Sequence, residues 1–197
     1  YGYQEQYFSV FVNEWQQLDF VFGGNDENIM VNSGFEEGSD ENANNPNGWE
    51  IYPGELNHLV FQTGWEMLGN SEYTFEAFDG NHSLLIWGLY SGYPNENNVF
   101  QTWFDGSLEP GTEFHVDAHM MTDQYNSLSQ GGNSAFLFAY YFAPDWGYIG
   151  HETSAPFDGT YPDNDWHHFA FNGIVPEGTH IVQIGVRFVQ PDDNSHG

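Results

Sequence analysis

The stretch "TEFHVDAHMMT" places His115, Asp117 and His119 at alternating positions. Imidazole and carboxylate together suit a transition metal. Alternate residues of one strand, however, stand roughly 7 Å apart along one face, too far to converge on one ion. A solvated polar face is the expected outcome. His167 and His168 point to opposite faces of a strand and cannot chelate together, and His151 stands alone. Carboxylates are abundant, with 29 Asp plus Glu, and an oxygen-rich chain suits calcium better than a transition metal. A glycosidase needs two carboxyls flanking a cleft, one with a raised pKa, and no pattern singles out such a pair. The chain therefore reads as non-catalytic. Aromatic side chains are the other candidate chemistry, because their faces stack on sugar rings. Trp87, Tyr90, Tyr93, Trp103, Tyr140, Tyr141, Trp146 and Tyr148 are the candidates, clustered in "WGLYSGY" and "YYFAPDWGY". Arg187 is the one Lys or Arg in the sequence. It can pair bidentately with a carboxylate, within the fold or on a ligand or neighbouring subunit. Asn81 begins the one Asn-x-Ser/Thr sequon, "NHS".

Elements that present such residues must come from a chain of 197 residues, enough for one domain with a full core. Aromatics make up 19%, which sets the chain apart from disordered acidic tails. The formal charge of −28 argues against a nucleic-acid partner, which demands basic side chains. It argues equally against an anionic membrane surface. An extracellular, saline setting fits it. With no cysteine, disulfides and thiolate metal sites are excluded. No apolar run approaches the roughly 18 residues of a membrane span.

Short runs rich in Phe, Tyr, Val and Ile alternate with Gly, Asn, Asp and Pro. This spacing predicts an all-β sandwich or jelly roll. Phe114, Val116, Ala118 and Met120 form one face of a strand. Val182, Ile184, Val186 and Phe188 do the same in "HIVQIGVRFVQ", with Gln183 and Arg187 opposite. In "HSLLIWG", Leu84 and Ile86 oppose Leu85 and Trp87. "AFLFAYYFA" is apolar on both faces, so one face belongs to the core and the other to a cover, a ligand or a partner. "LEPGTEF" and "VPEGTHI" are matching turns that lead into strands. Residues 1–24 stand apart as an arm. Phe8, Val10 and Val12 alternate, then Leu18, Phe20 and Phe22, before a "GGND" hinge. The body of the domain is residues 25–197.

Within that body, "NIMVNSGFEEG" followed by "NNPNGW" carries Asn28, Asn32, Gly34, Phe35, Glu36, Gly48 and Trp49. With "DGNHSLLIWG", "VFQTWFDGSLEPGTEFHVDAHM" and "WHHFAFNGIVPEGTHIVQIGVRF", in that order, it resembles carbohydrate-binding modules with a galactose-binding-like jelly roll. The resemblance covers about residues 28–197. It implies a jelly-roll β-sandwich, a core position for Trp49 and a structural calcium at Glu36. It also implies a closing C-terminal strand, and the sequence stops at Gly197 where that strand would begin. Three arrangements follow. Residues 1–22 fill the gap in their own chain, or fill it in a neighbour, or the sequence is incomplete.

The leading expectation is a non-catalytic extracellular or cell-surface subunit. It would self-associate into a filament, or fibril, by donating Phe8, Val10, Val12, Leu18, Phe20 and Phe22 as a donor strand, and could also touch glycans. The alternative is a carbohydrate-binding module of a secreted polysaccharide-degrading enzyme.

Overall fold

The computed structural model describes residues 8–11, 19–22, 25–39, 42–52, 58–62, 65–66, 74–75, 77–87, 94–104, 108–124 and 127–191. In chain order the strands are β1 (Phe8–Phe11), β2 (Asp19–Phe22), β3 (Asn25–Asn28), β4 (Gly38–Ser39), β5 (Asn42–Pro46), β6 (Glu50–Tyr52), β7 (His58–Gln62), β8 (Trp65–Glu66), β9 (Thr74–Phe75), β10 (His82–Ile86), β11 (Asn95–Phe104), β12 (Glu113–Thr122), β13 (Ser134–Phe142), β14 (Tyr148–Thr153), β15 (Phe157–Asp158), β16 (His167–Ile174) and β17 (Ile181–Gln190). The first main sheet runs β16-β12-β1-β10-β7. The second runs β14-β13-β17-β11-β6, with β15 on the end of β13. Pairing is antiparallel throughout. The protein is an all-β antiparallel sandwich.

The core lies between the two sheets. Leu84, Ile86, Phe114, Val116, Ala118, Met120 and Phe169 come from the first sheet. Val99, Leu137, Ala139, Tyr141, Val182, Ile184, Val186 and Phe188 come from the second. The alternation in "TEFHVDAHMMT" and "HIVQIGVRFVQ" thus sorts core from outer face, as period-two patterns do when one face is buried.

In this chain β1 lies between β10 and β12 of the same chain. Val10 is in register with Leu84 and Met120, and Phe8 with Ile86 and Thr122. Phe20 and Phe22 belong to β2, which pairs with β3 and lies against β12. Val12 and Leu18 lie outside the described residues.

The motif around Asn32 is a clamp that joins a turn to the second sheet. Asn32 sits at φ 50° and Phe35 at φ 58°, left-handed conformations that demand compensation. The Asn32 side chain donates to the carbonyls of Glu37 and Asn47, and accepts from Glu37 N–H. Trp49 Nε1 donates to the Asn32 carbonyl at 3.0 Å. Phe35 is fully buried, with its ring 4.9 Å from that of Trp49. Gln101, reaching in from β11, bonds both the N–H and the carbonyl of Val31. Trp49 therefore belongs to the core.

Gly185 sits mid-strand in β17, opposite both Phe100 and Phe138. A Cβ there would overlap the Val99 carbonyl and the Phe100 backbone. Gly185→Ala is expected to lower unfolding free energy by about 2 kcal/mol, within the overpacking range, measured by chemical denaturation.

Candidate functional site

Strand polarity decides what the second sheet shows to solvent. With Ala135, Leu137, Ala139 and Tyr141 in the core, Phe136, Phe138, Tyr140 and Phe142 fall on the other face of β13. Register sets their neighbours. Tyr140 stands opposite Gln183 and His151, and Phe138 opposite Gly185. Arg187 stands opposite Asn98, which stands opposite Tyr52. Gly185 lacks a side chain, so the Phe100 and Phe138 rings approach across it at 6.4 Å. The result is a cleft of about 770 Å³ over β6, β11, β17, β13 and β14.

Aromatic contacts run through this cleft without a break. Phe138 meets Tyr140 at 4.6 Å, Tyr140 meets Tyr148 at 6.5 Å, and Phe142 meets Trp146 at 5.6 Å. Phe104 closes one end against Trp146 at 6.1 Å. Tyr52, Phe104, Trp146 and Tyr148 are all more than half exposed. Contiguous exposed apolar area of this kind is uncommon on a monomer's surface. The turn between β13 and β14 presents Trp146. Trp146 N–H donates to the Ala143 carbonyl, Ala143 N–H to the Gly147 carbonyl, and Gly147 N–H to Asp145 Oδ1. This turn holds Trp146 at φ 65°.

The polar groups sit among the rings. Arg187 donates to the Glu96 carboxylate and to the Tyr140 hydroxyl, with its guanidinium carbon 6.0 Å from the Tyr140 ring centroid. Burial opposes the Arg187 charge, and Glu96 and Tyr140 more than offset it, so its pKa is raised. Asn98 Nδ2 donates to the Tyr52 carbonyl, Gln183 Nε2 to Thr102 Oγ1, and the Tyr148 hydroxyl bonds His151 Nδ1. Glu50 lines one edge.

Of the aromatic candidates, Tyr140, Trp146 and Tyr148 line this cleft, with Arg187. Tyr141 turns inward instead. It is 1% exposed, and its hydroxyl donates to Glu152 at 2.6 Å. Burial, with Glu152 beside it, pushes its pKa up. Trp103 packs against the core from the partly buried edge. Trp87 is half-buried on the strand end after β10, where its carbonyl accepts from Asn97. None of these three lines the cleft. Tyr90 and Tyr93 lie outside the described residues. Asn81 is exposed.

Glu36 is ringed by donors. Its Oε1 accepts from the N–H groups of Asn81 and His82 at 2.7 and 3.0 Å, and its Oε2 lies 2.8 Å from His82 Nδ1. Partial burial pushes its pKa up, but the His82 ring and the two N–H groups outweigh this and lower it on balance. A calcium shell requires acceptors, and here N–H donors occupy both oxygens. The surroundings of Glu36 do not fit a calcium ion. Among the described residues, no group of three or more His, Asp or Glu side chains comes together to hold a metal. Glu36→Gln is expected to cost about 1–2 kcal/mol by weakening a charge-assisted network, read from urea denaturation midpoints with and without added calcium.

The outer face of the first sheet departs from the solvated face expected for "HVDAH". His115 is half-buried and bonds Asn172. Asp117 and His119 are only 5% and 7% exposed. Asp117 Oδ2 lies 2.8 Å from His168 Nε2. The His119 ring stacks on Phe78 at 3.8 Å, and Phe78 meets Trp166 edge-on. Phe78 precedes the strand and is remote in sequence, so nothing in the alternation announces this cover.

No known protein-family profile matches the chain, and no curated protein matches it. Solved structures do match in backbone course. One is the enzymatically active domain of tailspike protein 4 of bacteriophage CBA120, at 13% identity and TM-score 0.41, covering 77% of this chain and 20% of that one. Another comes from work on the promiscuous specificity of carbohydrate-binding modules of the β-sandwich superfamily. It shows 15% identity and TM-score 0.48, and covers 80% of this chain and 58% of that one. The chain thus spans less than two thirds of either neighbour's length.

Proposed function

We propose that the protein is a non-catalytic, extracellular, carbohydrate-binding-module-like β-sandwich that holds a glycan in the cleft on the outer face of its second sheet. The observation that carries this reading is the run of aromatic contacts from the buried Phe138 through Tyr140 and Phe142 to the exposed Tyr148 and Trp146, interleaved with Arg187, Gln183, Asn98 and His151. Mostly apolar clefts with a few placed polar groups are the usual form of a small-ligand site. Rings supply stacking area at low entropy cost, and amides and carboxylates supply direction. Placement of the acids supports binding rather than hydrolysis. Glu50 pairs opposite Phe100, four residues from Glu96 on the same strand, which puts their backbones about 14 Å apart. A glycosidase needs one carboxyl as general acid and a second as base or nucleophile, and Glu96 is already tied to Arg187. The test is affinity electrophoresis through gels containing soluble polysaccharides, followed by calorimetry on those that retard the protein. Unchanged mobility in every polysaccharide would sink the reading.

A second reading, strand-exchange assembly, draws support from β1. This four-residue strand sits between β10 and β12, both remote from it in sequence. The same seat would accept residues 8–11 of a neighbour, and head-to-tail exchange builds open filaments. Light scattering and electron microscopy of the intact chain, and of a chain lacking residues 1–22, test it. Fibres from the intact chain alone, restored to the shortened one by a peptide of residues 1–22, support exchange. Monomers at every concentration rule it out.

A further inference from the structure

The cleft contains the protein's entire complement of Lys and Arg, a single residue. Arg187 lies on its floor, with 22% of its side chain exposed, and its guanidinium donates to two protein groups, Glu96 and Tyr140. An acidic sugar entering the cleft would need that guanidinium, because carboxylates and sulfates are recognised through charged, bidentate donors. Glu96 already takes an Nη2 donor of it and balances its charge. Glu50 adds a second carboxylate to the lining, so with one cation and two acids the cleft floor is net negative. The remaining polar groups, Asn98, Gln183, Tyr148 and His151, offer amide, phenol and imidazole donors and acceptors matched to hydroxyls. The chain's −28 charge repels polyanions before contact.

We infer that Glu96 is a specificity-determining residue: by holding Arg187 it restricts the cleft to uncharged oligosaccharides and turns away uronic acids. This rests on the glycan-binding reading above and narrows it. The lining spans β6, β11, β17, β13 and β14, five strands at the usual spacing, or about 19 Å. That length suits a short stretch of chain better than a single sugar. Affinity should therefore climb with oligosaccharide length and level off within a few residues.

The experiment is calorimetry on the intact protein and on Glu96→Gln, with two probe sets. One is neutral oligosaccharides of β-glucan, mannan and xylan. The other is oligogalacturonates of matching lengths. High salt removes the long-range repulsion, so the site itself is read. Thermal melts of both proteins check folding. The wild type is expected to bind a neutral series and not the oligogalacturonates. In Glu96→Gln the affinity ratio of galacturonate to neutral sugar should rise roughly tenfold or more, as one charge-assisted pair becomes available. Wild-type binding of oligogalacturonates as tightly as neutral sugars overturns the inference and leaves the glycan cleft standing. So does an unchanged ratio in folded Glu96→Gln. Binding of neither series by either protein removes both the inference and the reading beneath it.

Discussion

Trp146→Gly is expected to weaken glycan binding at least thirtyfold while leaving thermal stability no lower than in the wild type. The two halves of this result have separate causes. Trp146 is 52% exposed and touches Phe104 and Phe142 at ring distances of 6.1 and 5.6 Å. Its removal deletes a stacking face at the mouth of the cleft. An aromatic anchor contributes about 2 kcal/mol or more to binding, which is roughly thirtyfold. Its backbone sits at φ 65°, where a non-glycine residue costs about 1–2 kcal/mol. Glycine removes that cost, which offsets the missing packing of a half-exposed ring against Phe104 and Phe142. Strain of this kind persists where function holds it. Calorimetry and melting curves on one sample read both quantities. Tyr148→Ala should show a similar binding loss at unchanged stability, since Tyr148 is 57% exposed. Tyr141→Ala gives the contrasting pattern, reduced stability, because Tyr141 fills the core. Full binding by Trp146→Gly would move the site away from this cleft.

These contrasts show where sequence is informative and where it stops. Period-two alternation separates Phe114, Val116, Ala118 and Met120 from their polar neighbours, because a sandwich buries one side of each strand. In "AFLFAYYFA" the same rule leaves two apolar faces, and either could be the core. Its small residues resolve the choice. Ala135 and Ala139 alternate with Leu137 and Tyr141 and let the facing sheet approach, which leaves Phe138, Tyr140 and Phe142 to the cleft. That parity is present in the sequence and separates Tyr140 from Tyr141. Phe100, Glu96, Asn98, Tyr52 and Glu50 carry no such signal. They join the cleft only because β17 inserts between β11 and β13, with β6 beyond, and strand order is not written in local pattern. The Asn32 motif is legible as a landmark, while its chemistry is not. His82, 46 residues from Glu36, meets the carboxylate through tertiary placement alone. The buried state of Asp117 and His119 is hidden for the same reason, because Phe78 covers His119 from outside the strand and Asp117 pairs with His168 of another.

That cover yields the second large effect, a loss of stability in mild acid that belongs to one imidazole. His119 is 7% exposed. Its Nδ1 finds no hydrogen-bond partner among the described residues, and its ring lies flat against Phe78, inclined 11° at 3.8 Å. Burial, and then the neighbouring His168, pull its pKa from 6.5 down to about 4. A lowered pKa on a base means that the folded state resists the proton. As pH falls through 6.5 the unfolded chain takes up a proton that the native state refuses until about pH 4. Stability is therefore complete above the unfolded value and drains away across that window. Between about pH 7 and pH 4.5 the expected loss from this residue is about 2 kcal/mol, a large share of a typical domain's stability. Many carboxylates titrate near the lower end, so the comparison must be made between variants. His119→Phe keeps a flat ring against Phe78 and has nothing to protonate. Chemical denaturation of both proteins at the two pH values should show the wild type losing about 2 kcal/mol more than the variant. Asp117 and His168, which pair beside the ring, are kept in both proteins. Equal losses in the two proteins would mean that His119 is solvated in the native state, and that Phe78 does not seal this face.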